Sequence, residues 1–113
     1  MKNRERLPDR RRSDTFEFDH RYPDGSSFTY IATLGHYVDG RIGEVFLQAT
    51  KTGTTIDINT RDSAIALSLA LQFGCPLDVI APTFLRSAEG RPEGPLGTLV
   101  DILVGRRSSE EVA

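Results

Sequence analysis

The sequence predicts a small α+β domain: a three-stranded antiparallel β-meander followed by two to three helices packed on one face. Three observations carry this. Thr15-Phe16-Glu17-Phe18-Asp19-His20 alternates polar and apolar residues with the period of two that marks a half-buried strand. Two further strand-like runs follow at once, joined by turn residues. The period then changes, and between Ser63 and Phe73 eight of eleven residues are apolar, which only a buried helix accommodates.

Each element has a local reason. After the first strand, Tyr22-Pro23-Asp24-Gly25 supplies turn chemistry, with proline presetting one φ and glycine tolerating a positive one. Phe28 to Leu34 is rich in aromatic and β-branched residues, the composition of a second strand. Val38-Asp39-Gly40-Arg41 carries the Asp-Gly pair of a tight hairpin. The third strand, Gly43 to Ala49, puts Val45, Leu47 and Ala49 on one face and Glu44, Phe46 and Gln48 on the other. So small a sheet is marginal in water unless one face is covered.

The cover is the helix that follows. Asn59-Thr60-Arg61-Asp62 offers a cap and an acidic first turn. Its apolar surface predicts burial on two sides, against the sheet and against later helices or another subunit. Gly74 suits the left-handed residue that ends a helix, and Pro76 opens a second one through Leu77, Val79 and Ile80. Pro82 interrupts that helix. After a polar loop, Leu96, Leu99, Val100, Leu103 and Val104 recur at helical spacing, and Gly105 is placed to stop the last helix.

The 113 residues make one domain, with 38% hydrophobic and 27% charged content. No apolar run approaches the ~20 residues of a membrane span, and no apolar core follows the basic start, so the expected location is the cytoplasm. Cys75 is the only cysteine, which excludes an internal disulfide framework and a four-cysteine zinc site. The organisation expected is a flexible basic arm over 1–13, a folded body over 14–105 and a flexible charged tail over 106–113. Residues 1–12 sum to +4 and the rest to −6. Arg4, Arg6, Arg10, Arg11 and Arg12 are therefore candidate contacts for nucleic acid or an acidic partner, although the arm has no aromatic residue to stack on bases.

Lys51-Thr52-Gly53-Thr54-Thr55 is the second candidate, a strand-to-helix loop with one cation, one glycine and several hydroxyls. Such loops can present N–H groups to a phosphate or nucleotide, although the P-loop spacing is missing. Cys75 lies beside a helix start but has no histidine near it in sequence, and burial is the usual fate of such a thiol. His20 and His36, with Asp19, lack metal-ligand spacing, and solvation at the sheet edge is the expected account. Glu44 is placed to pair with Arg41 or Arg61. No catalytic residue and no metal ligand is expected.

Taken in order, Asp39-Gly40-Arg41, Gly43-Glu44-Val45-Phe46-Leu47, Lys51-Thr52-Gly53-Thr54, Asp62-Ser63-Ala64 and Ser68 to Leu77 resemble the TSCPD domain. That domain occurs near the C-terminus of adenosylcobalamin-dependent ribonucleotide reductases and in small stand-alone proteins. The resemblance covers about residues 14–104, although the five-letter motif that names the family is absent. It implies an accessory or regulatory module linked to deoxyribonucleotide synthesis, with a reductase subunit and a nucleotide as partners. Adenosylcobalamin enters only by that association and is not expected to bind this chain alone. A single cysteine cannot run the dithiol chemistry of such a reductase. The alternatives are a nucleic-acid-binding module using the basic arm, or a small self-assembling protein; a homo-oligomer is expected.

Overall fold

A computed structural model describes residues 3–51 and 53–112, with side chains described through residue 105. Strands β1 (Ser13–Arg21), β2 (Ser27–His36) and β3 (Ile42–Ala49) form an antiparallel meander in the order β1-β2-β3. Thr15 pairs with Thr33 across β1 and β2, and Leu34 with Val45 across β2 and β3. Helix α1 (Thr55–Gln72), the single-turn α2 (Leu77–Ile80), a 3-10 turn (Ala81–Thr83) and α3 (Pro95–Val112) follow. This is the α+β fold expected from the sequence.

Side-chain alternation aims Tyr30, Ala32 and Leu34 of β2 and Val45, Leu47 and Ala49 of β3 at the helices. Ala64 and Leu67 of α1 and Leu99, Val100 and Leu103 of α3 complete the core, and all eleven are under 9% exposed. Gly40 takes φ +94° in the β2–β3 hairpin. Gly74, at φ +91°, ends α1: its N–H reaches Leu71 O at 3.0 Å and the Cys75 N–H reaches Ala70 O at 3.0 Å. These are the two bonds of a Schellman stop.

Two expectations are corrected. Helix α1 begins at Thr55, ahead of Asn59-Thr60-Arg61-Asp62. Thr54 is the cap, its Oγ1 accepting the Asp57 N–H at 3.1 Å, and Thr60 is buried inside the helix. The backbone of α3 runs on to Val112 instead of stopping at Gly105. Gly105 does not take a positive φ, and a helical glycine costs only about 1 kcal/mol against alanine. On its outward face α1 leaves Ile58, Ile65 and Leu69 52%, 55% and 40% exposed.

The side of α1 that does pack lies along the outer edge of β3. The Ser68 hydroxyl accepts the Val45 N–H at 2.8 Å and lies 3.0 Å from Val45 O. Gln72 Nε2 donates to Gly43 O at 2.9 Å, and Asp57 Oδ1 accepts the Ala49 N–H at 3.0 Å. Three polar side chains of α1 thus occupy backbone groups of β3 that face away from β2.

Candidate functional site

At the β3–α1 connection, the Asp57 carboxylate is fully buried and accepts from both Ala49 N and Gly53 N, the latter at 3.1 Å. The loop's inward N–H groups are therefore satisfied by an acidic side chain of the protein itself. A phosphate approaching Lys51, Gly53, Thr54 and Thr55 would have to compete with that carboxylate. Thr52 lies outside the described residues. Arg61 approaches Asp57 at 3.9 Å, while Glu44 pairs with Arg11.

Glu44 holds the basic arm. Its carboxylate accepts from Arg11 Nε at 2.7 Å. Its side chain crosses Gly35, where an added Cβ would collide with Glu44 unless that side chain moved. Further along, Arg4 Nε donates to Gln72 Oε1 at 2.6 Å and the Glu5 N–H to Gln72 O at 2.8 Å. Arg12 NH2 lies 3.6 Å from Asp14. The segment read from the sequence as a loose arm is thus laid along the body, while Arg6 and Arg10 remain exposed.

The arm also walls a cleft of about 410 Å³ at the hairpin end of the sheet, lined among others by Arg12, Asp14, His36, Arg41 and Cys75. Arg41 is spoken for. It donates to both oxygens of Glu5, at 3.0 and 2.8 Å, and to Asp39 at 2.8 Å, and it lies 4.6 Å over the Tyr37 ring. Its side-chain hydrogen bond holds the Glu5 carboxyl below the usual range, and the Arg41 backbone and side-chain bonds do the same for Asp39. Burial pushes the Tyr37 phenol up.

Neither histidine sits in solvent at a sheet edge, as the sequence led us to expect; both are buried. His36 places Nε2 2.8 Å from Asp14 Oδ2 and Nδ1 3.1 Å from Gly40 O. His20 places Nε2 2.9 Å from Glu93 O and Nδ1 2.7 Å from Thr98 Oγ1. A carbonyl oxygen only accepts, so His20 carries its proton on Nε2 and accepts from the threonine hydroxyl as a neutral ring. Burial lowers its pKa in the same sense, against the opposing bond to Glu93 O. Residues 14, 36 and 75 meet in one cleft although they are far apart in the chain, and no spacing rule applied to the sequence reveals that.

Comparison with known proteins decides what this fold is related to. The chain is 41% identical over 98 residues to a vitamin B12-dependent ribonucleotide reductase of Bradyrhizobium diazoefficiens, covering 85% of the chain and 7% of the enzyme. It is 43% identical over 81 residues to that of Rhodopirellula baltica, covering 72% of the chain and 7% of the enzyme. With that of Agrobacterium fabrum it shares 37% over 83 residues, 74% of the chain and 6% of the enzyme. The chain is homologous to a segment of vitamin B12-dependent ribonucleotide reductases. No family model matches it. No solved structure matches it either.

The relationship to a B12-dependent reductase raises the question of a corrinoid site, and the residues present do not fit one. Both nitrogens of both buried histidines are already hydrogen-bonded, so neither offers a lone pair to cobalt without breaking a hydrogen bond. Among the described residues no three His, Cys, Asp or Glu converge as a metal-binding group. Among the described residues, no helix is long and apolar enough to cross a membrane.

Proposed function

We propose that this chain is a TSCPD-type accessory domain that acts on a vitamin B12-dependent ribonucleotide reductase by association, without catalysing reduction itself. The observation that carries this is the homology, which spans most of the chain but only 6–7% of each enzyme. The residues support it. One cysteine cannot cycle between dithiol and disulfide within the chain, and the polar groups of the hairpin cleft are tied to each other.

The test is reconstitution with the reductase of the chain's own organism, deleted for the homologous segment if it carries one. The expected result is recovery of the enzyme with the 113-residue chain and a change in its turnover or its nucleotide response. A chain that neither binds the reductase nor alters its rate removes the reading. Nucleic-acid binding through the arm has less in its favour, because Arg11 is paired with Glu44 and Arg12 faces Asp14, which spends charge that a phosphate backbone would need.

A further inference from the structure

We propose that the groove between α1 and the α2–α3 connection is the docking surface of this domain, and that its occupant is an amphipathic helix of the reductase. This rests on the association proposed above and names the surface that makes it. The groove encloses about 660 Å³ and runs beside α1 from Ile56 to Ala70, about 21 Å at 1.5 Å per residue. In a chain with 27% charged residues, none of the described residues lining it is charged. Ile56 and Leu85 are 44% and 76% exposed beside it, more apolar surface than a lone side chain leaves in water.

The walls select the occupant. Ser63, Ala66 and Ala70 line the α1 side, and side chains this small let another backbone come close. Along α1 the groove offers no ladder of free N–H and C=O groups, since these are spent inside the helix. An extended strand lying there would leave its own backbone unpaired and out of water, which is unfavourable. A helix arrives with its backbone already satisfied and needs only a row of apolar side chains, the helix-in-groove mode of recognition. About 14 residues fill 21 Å, an ordinary helix length. The reductase supplies the candidate, because in the relatives more than nine-tenths of the polypeptide lies outside this segment.

Two exposed positions make the test without touching the core: Ala66→Glu and Ser63→Arg in the groove, with Ile65→Glu on the neighbouring face of α1 as control. Each variant is first checked for unchanged circular dichroism and melting. Calorimetric titration into the segment-deleted reductase should then show at least a tenfold weaker Kd for both groove variants and less than a threefold change for Ile65→Glu. Native affinity in both groove variants overturns the groove while leaving the association standing. Loss confined to Ile65→Glu overturns it too, by moving the contact to the other face. If wild type ignores the reductase but sediments as a dimer that Ala66→Glu dissolves, the occupant is a second copy and the proposal is wrong. No binding by wild type and no dimer removes the proposal together with the association it rests on.

Discussion

Replacing Asp57 by alanine withdraws one carboxylate from two backbone donors, Ala49 N–H and Gly53 N–H, at a position with no access to water. An unsatisfied buried donor costs about 1–3 kcal/mol, so Asp57→Ala should lower the unfolding free energy by about 2–4 kcal/mol in urea titration. Asp57→Asn keeps one acceptor oxygen and should lose about half of that. A loss under 1 kcal/mol for alanine would show that the loop finds other acceptors. His20 carries a second prediction at this scale. Its folded pKa lies below the unfolded value of about 6.5, so the unfolded chain binds the proton first as pH falls. The stability that neutral His20 contributes is complete above about pH 6.5 and declines as pH drops from there through the folded pKa. In His20→Gln the gap to wild type should therefore be widest at pH 7.5 and narrower at pH 5, and a gap independent of pH would contradict this.

Among the elements, α1 was the least legible in the sequence, and the reason is physical. Thr54, Asn59 and Thr60 are all competent caps, so composition could not say which one the chain uses. The choice falls to Asp57, whose two bonds back to β3 and to the loop exist only after the strand has formed. The apolar pattern was legible and suggested burial on two sides. What it encodes is one face on the sheet and others left for something else. Ser68 and Gln72, the polar breaks in that pattern, serve the β3 edge. Ser68→Ala should cost about 1–3 kcal/mol by orphaning the Val45 N–H. It should also quicken hydrogen exchange at Val45 before any other strand residue, and uniform exchange across β3 would count against this role. The strands and the Asp-Gly hairpin were easy to read because period and turn chemistry agree there.

For the molecule as a whole, the arm and the body are one unit. Arg4, Glu5 and Arg11 reach Gln72, Arg41 and Glu44, positions 33 to 68 residues away. Deleting residues 1–12 should therefore lower the Tm by several degrees, while binding to single- or double-stranded DNA should stay weak with or without them. A strongly salt-dependent affinity lost on deletion would restore the nucleic-acid reading. Distant pairings of this kind, like the meeting of Asp14, His36 and Cys75, depend on topology and leave no trace in local spacing. The covering of β3 by α1 has a last consequence, which concerns growth. A sheet extends only from an edge that still has bonds to give, and among the described residues β1 is the edge strand opposite the one that α1 covers. Strand-to-strand joining between copies is therefore directed to β1 and, once made there, halts at a pair. Propagation into a cross-β fibre first requires tearing α1 from its seat.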